Sequence, residues 1–141
     1  MSSILILRAL FVITLIATLG SLFFGEVLKY PPCTLCWYQR ICMYPLVLIF
    51  GAAIWFEDRS FLKFSFPLSI IGFVIACYHN LLYYGIIPDS ITPCSEGVSC
   101  TSKQVEIFGF LSIPLMSWIS FLIILGLAFI QFNNIRNANE K

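Results

Sequence analysis

Charge is what this chain has least of. Only 11% of its 141 residues are charged, and the net charge is +1. Soluble domains carry about 25% charged residues, so the soluble class is excluded. With no basic surplus there is no nucleic-acid footprint, and nucleic acid is excluded as a partner. Strand-like apolar–polar alternation is missing too, which removes a membrane barrel. Histidine occurs once, at His79. Six cysteines would suit a small secreted disulfide scaffold, but the apolar runs exclude that class.

Apolar residues fill the space that charge vacates. They make up 60% of the chain, and the mean hydropathy is +0.93. Four apolar segments stand out, at about 9–25, 37–56, 67–87 and 113–132. About 20 apolar residues cross a bilayer as a helix, and in lipid only helices or closed barrels satisfy the backbone. The expected fold is all-α: an integral membrane four-helix bundle forming a single domain over 1–141. The first segment is read as a span and not as a cleaved signal peptide. Apolar residues also precede Arg8, and no small-x-small site ends the run.

Four spans put the first and third connections on the same side, whichever way the chain inserts. Those connections carry Cys33 and Cys36, and Cys94 and Cys100. Arg8, Arg59, Lys63, Arg136 and Lys141 fall on one side, and Lys29, Arg40 and Lys103 on the other. The excess of positive charge predicts both termini inside. The two cysteine loops then face outside, where disulfides persist.

The run Pro31-Pro32-Cys33-Thr34-Leu35-Cys36 has a mechanical reading. Proline suits the first turn of a helix, which puts Cys33 at or near the N-terminus of the second span. Free N–H groups and the macrodipole favour a thiolate there. Arg40, four residues past Cys36, shares its face. A guanidinium there can hold a thiolate or an anionic reduced ligand. Two other readings stay open. The four loop cysteines could form a zinc site, although x5 between Cys94 and Cys100 is wide for one. They could also form two inert disulfides, although C-x-x-C closes too short a loop to stabilise much. Pro88, Pro93 and Gly97 break any long helix in the third connection, and the four cysteines allow three pairings.

His79 is an ionisable group inside a span, and so a candidate functional residue. Its bland alternative is a histidine bonded to a helix carbonyl or a serine. Cys42 and Cys77 read as small apolar residues. Trp37, Tyr38, Tyr83, Tyr84 and Trp118 read as interfacial belts. Glu26 reads as a solvated interfacial charge, and Ser112-Ile113-Pro114 as a break or kink where the fourth span begins.

Cys33-Thr34-Leu35-Cys36-Trp37-Tyr38-Gln39-Arg40 resembles the first-loop signature of the DsbB/BdbC family of membrane disulfide-bond formation proteins. Phe108-Gly109-Phe110-Leu111-Ser112-Ile113-Pro114-Leu115-Met116-Ser117-Trp118 is similar to the stretch that leads into that family's fourth span. The resemblance covers about residues 10–132. The x5 spacing of the second pair places the chain with the short, BdbC-like branch.

The resemblance implies a quinone-dependent, disulfide-generating enzyme of the bacterial cell membrane. Its partner would be a soluble thioredoxin-fold thiol oxidase of the DsbA or BdbD kind. The partner's thiolate would attack Cys94, and the freed Cys100 would attack Cys33. Cys36 would be left as the thiolate facing a ubiquinone or menaquinone. Arg40 would steady that thiolate and the reduced ligand, and His79 would border the quinone. No metal is expected. The competing functions are a reductase like the vitamin K epoxide reductases, and a non-enzymatic metal-binding or assembly protein. The reductases place their C-x-x-C late in the bundle, whereas here it opens the second span.

Overall fold

The computed structural model describes residues 3–58, 60, 62–88, 106–107 and 111–139. Cys94 and Cys100 lie outside the described residues. Four helices dominate: α1 Ser3–Leu22, α2 Thr34–Trp55, α3 Leu62–Tyr83 and α4 Ile113–Asn139. A two-residue ladder, β1 Glu106–Ile107 with β2 Leu111–Ser112, precedes α4, pairing Glu106 with Ser112 and Ile107 with Leu111.

All four helices are long and apolar enough to cross a membrane. At ~1.5 Å per residue, the 22 residues of α2 or of α3 reach about 33 Å, against a hydrocarbon core of about 30 Å. Their outward faces carry large apolar side chains: Leu48 is 74% exposed, Trp55 83% and Phe64 64%. Water would penalise such a surface, and lipid does not. The chain is a multi-pass membrane protein.

Adjacent helices run antiparallel, as their contacts show. Phe11 of α1 lies by Gly51 of α2, and Ser21 by Arg40. Cys77 of α3 meets Trp118 of α4, and Gly72 meets Phe121. Gln131 of α4 reaches Ser3 of α1 through its amide. Each helix packs on its two neighbours around the ring.

The seam of α3 explains the close approach. Its buried residues are Leu62, Ser65, Ser69, Gly72, Ala76, His79 and Leu82. They recur at steps of three and four, so they form one stripe, and most are small. Small residues let membrane helices approach closely. A Cβ on Gly72 would run into the Phe121 ring, so any larger residue there must displace that ring.

Helix ends differ from the apolar runs for local reasons. Gly85 adopts φ +71. The Gly85 N–H donates to the Leu82 carbonyl, and the Ile86 N–H donates to the Leu81 carbonyl. That pair of bonds is a Schellman closure, and it ends α3 before the apolar run ends. Pro114 begins α4 without kinking it, since a proline in the first turn sacrifices no helical bond. Ser112 Oγ caps the start by accepting from the Leu115 N–H at 3.4 Å.

Two interior side chains depart from the sequence reading. Trp118 turns inward: its Nε1–H donates to Cys77 Sγ at 3.1 Å, and its ring stacks on Phe73 at 5.9 Å. The indole N–H needs an acceptor in an apolar interior, and the sulfur supplies one. Cys77 is therefore an acceptor as well as a filler. Trp37 and Tyr38 stay exposed, at 53% and 46%.

Candidate active site

Pro31 and Pro32 lie just before α2, and Cys33 is its N-cap at φ −70, ψ 167. Having no N–H, the prolines leave an extended approach, and the helix begins at Thr34. Cys33 Sγ accepts from the Cys36 N–H at 3.4 Å, using one of the donors that every helix start leaves open. A C-x-x-C on the first turn brings its sulfurs together: Cys33 Sγ and Cys36 Sγ are 3.1 Å apart as a dithiol.

His79 comes from α3, 46 residues away, and its Nε2 lies 3.8 Å from Cys33 Sγ. On its far side, Gln39 Nε2 sits 3.2 Å from Nδ1. A carboxamide nitrogen can only donate, so Nδ1 accepts and Nε2 carries the proton, pointing at the Cys33 sulfur. Both Gln39 and His79 are almost wholly buried. The Cys36 thiol, hydrogen-bonded to it, holds the Cys33 thiol well below the ordinary thiol range. His79 and the Cys36 amide act in the same direction, and burial opposes them.

Arg40 is anchored to α1. Its Nε donates to Ser21 Oγ at 2.9 Å, and its Nη2 to the Ser21 carbonyl at 3.0 Å. The guanidinium also lies 5.7 Å from the Trp37 ring. The chain after α1 makes room for it with a π-helical turn, Phe23–Val27. A Cβ on Gly25 in that turn would stand 2.9 Å from Arg40 Nη2. Such π-bulges are rare and often mark functional sites.

These groups share one cavity of about 410 Å³, walled by Ile16, Phe24, Met43 and Phe121. Cys33, Cys36, Gln39, Arg40 and His79 contribute its polar part. Tyr44 also lines it, one turn below Arg40 on the same face of α2. Its hydroxyl is buried with no partner among the described residues.

Four sequence candidates, Cys33, Cys36, Arg40 and His79, thus converge. Cys94 and Cys100 lie outside the described residues, but the flanks of their connection, the end of α3 and the start of α4, lie at the Cys33 end of the bundle. Sequence reasoning did not single out Gln39, Ser21, Gly25 or Tyr44. Gln39 carried a signal: it falls on the buried stripe Leu35, Gln39, Cys42, Leu46, where a polar residue must find a partner. Ser21 and Gly25 carried none, because their role depends on where α1 meets α2.

Fold and site together define a membrane four-helix protein with a dithiol at a helix start, facing a histidine and an anchored arginine. The family model described as "Disulfide bond formation protein DsbB" matches residues 3–131. The chain belongs to that family of membrane disulfide-generating proteins. It is 45% identical over 122 residues to "Disulfide bond formation protein C" of Bacillus subtilis, covering 86% of this chain and 88% of the relative. Identity to "Probable disulfide formation protein C 2" of Bacillus cereus is 45%, covering 82% of each chain. It is 41% to the "Probable disulfide formation protein" of Metapseudomonas resinovorans, covering 79% of this chain and 78% of the relative. No solved structure matches the chain significantly.

Proposed function

We propose that the chain is a single membrane domain acting as a thiol:quinone oxidoreductase in a bacterial cell membrane. Both termini are cytoplasmic, and both cysteine-bearing loops are extracytoplasmic. One observation carries the reading: a C-x-x-C dithiol, a buried histidine and an anchored arginine share one largely apolar cavity.

The cavity fits a quinone. Its apolar walls suit an isoprenoid tail. Its polar part gathers a cation at Arg40 and a Tyr44 hydroxyl that has no partner among the described residues, with the His79 ring at its edge. A buried hydroxyl without a partner is costly, and a ligand carbonyl would satisfy it. Arg40 and Tyr44 are the groups that would hold the ligand, and His79 would border it. A bound ubiquinone or menaquinone supplies an acceptor for two electrons and two protons.

The chain's own residues do the rest. A soluble thioredoxin-fold thiol oxidase of the DsbA or BdbD kind delivers its dithiol to Cys94, and Cys100 leaves as a thiolate. Cys100 then attacks Cys33 and releases Cys36. The partner's second thiolate displaces Cys94 to close the partner's disulfide. Cys94 displaces Cys33 from Cys100, which leaves Cys33 and Cys36 as a dithiol and re-forms the Cys94–Cys100 bond. Each step is a thiolate displacing a thiolate at a disulfide sulfur. Two electrons and two protons leave the partner, whose dithiol becomes a disulfide. The same two electrons leave the Cys33–Cys36 pair at the cavity. Arg40, held by Ser21, places its positive charge beside the cavity. His79 steadies the Cys33 sulfur as its charge changes.

The test is quinone reduction by purified protein in detergent, driven by a reduced thioredoxin-fold dithiol protein, with Cys36→Ser alongside. Turnover that vanishes in Cys36→Ser is expected. No turnover from a protein whose loop cysteines form no disulfides would overturn the reading.

A further inference from the structure

Cys33 Sγ, Cys36 Sγ and His79 Nε2 all lie within 4.8 Å of one another. Two of those spacings are 3.1 Å, between the sulfurs, and 3.8 Å, from Cys33 Sγ to the imidazole. A tetrahedral ion at ~2.3 Å from sulfur and ~2.0 Å from nitrogen sets its donors roughly 3.8 Å (S···S) and 3.6 Å (S···N) apart. The Cys33–His79 spacing already meets that requirement. The sulfurs need to separate by roughly 0.7 Å to meet it, which a small turn of the Cys36 side chain supplies.

The surroundings also suit an ion. A ligating histidine usually secures its other ring nitrogen with a second hydrogen bond. Gln39 sits 3.2 Å from Nδ1. Rotating its carboxamide by half a turn would offer Oε1 to an Nδ1–H and free Nε2 for a metal. Gln39 can therefore hold the ring in either tautomer. The cavity beside the sulfurs leaves room for a fourth, exchangeable ligand.

We propose that Cys33, Cys36 and His79 form a three-ligand site for a thiophilic d10 cation, zinc above all, which binds only the dithiol state and locks the pair reduced. Two thiolates and an imidazole select zinc, cadmium or copper(I) over magnesium or calcium. Binding displaces the protons that the two sulfurs still hold, and transfers no electron. A disulfide offers no thiolate, so the oxidised pair does not bind. By linkage, an ion that binds only the reduced state stabilises that state. Only the inhibitory consequence rests on the quinone-oxidase reading; the ion site itself does not.

The first test uses the full chain in detergent carrying Cys94→Ser and Cys100→Ser, reduced and freed of reductant without air, then titrated with Cd2+. Thiolate-to-cadmium absorption is expected to saturate at one ion per chain, and to be absent from the disulfide form. His79→Gln should weaken binding at least tenfold, and Cys33→Ser should abolish it. X-ray absorption of the zinc-loaded parent reads the ligands directly, with no need for a variant to fold. Two sulfurs at about 2.3 Å and nitrogen at about 2.0 Å are expected. Binding by the oxidised form, a shell without two sulfurs, or indifference to His79→Gln in a folded variant would overturn the site.

The second test follows a single turnover of the same pre-reduced protein with a soluble ubiquinone analogue, with chelator and then with zinc. Quinone reduction in chelator that zinc abolishes at its binding concentration is expected. Reduction that zinc at saturation leaves untouched overturns the lock. No reduction even in chelator overturns the quinone-oxidase reading, and the cadmium result still decides the site.

Discussion

Gln39 on α2 and His79 on α3 meet through side chains at 3.2 Å, and their contact fixes which imidazole nitrogen faces Cys33. Neither residue touches the dithiol in sequence. Packing α2 on α3 joins them.

Replacing Gln39 tests that contact. Gln39→Leu keeps bulk and removes the donor to Nδ1, so the ring can turn or change tautomer. Quinone reduction is expected to fall about tenfold, with a stability loss of about 1 kcal/mol for the lost hydrogen bond. Unfolding in detergent and steady-state quinone reduction separate the two effects. Full activity in a folded Gln39→Leu would remove Gln39 from the site.

Gly25 tests the arginine clamp. A Cβ there meets the Arg40 guanidinium at 2.9 Å, so Gly25→Val displaces Arg40 from Ser21. The quinone KM is expected to rise several-fold while the helical content holds. Arg40→Ala should do the same more severely, and should affect the partner's KM less.

Tyr44→Phe removes a hydroxyl that has no partner among the described residues. Removing an unsatisfied buried group costs nothing and can stabilise the fold, by about 1 kcal/mol. If the hydroxyl meets a ligand carbonyl, quinone affinity should drop about tenfold, for a hydrogen bond worth roughly 1.4 kcal/mol. An unchanged KM would take Tyr44 out of the quinone site.

Gly72→Ala drives a methyl into the Phe121 ring. Overpacking of this kind costs roughly 1–3 kcal/mol. The thermal midpoint should fall, and Gly72→Ala combined with Phe121→Leu should recover part of the loss. Equal midpoints for Gly72→Ala and the parent would mean that the α3–α4 seam opens without strain.

Cys77→Ala leaves the Trp118 N–H without its sulfur. A modest stability loss, about 1 kcal/mol, is expected with turnover intact. Loss of turnover from a folded Cys77→Ala or Cys42→Ala would show that these cysteines do more than pack.

The sequence by itself determined the class. Hydropathy is a property of composition along the chain, and lipid admits few backbone solutions, so four helices were legible before any contact was known. The C-x-x-C behind two prolines was equally local: three residues of helix bring the two sulfurs together, and the prolines set where the helix begins. Arg40 and His79 were legible as candidates because charge and titratable groups are costly in a membrane. Their partners were not. Whether Arg40 faces Ser21 and Gly25, whether His79 turns to Cys33 or to the cavity, and whether Trp118 points outward or onto Cys77 all depend on the rotation of each helix about its axis. That rotation is set by close packing of small residues such as Gly72 against rings such as Phe121. It sums many contacts between residues far apart in the chain, and no local pattern records it.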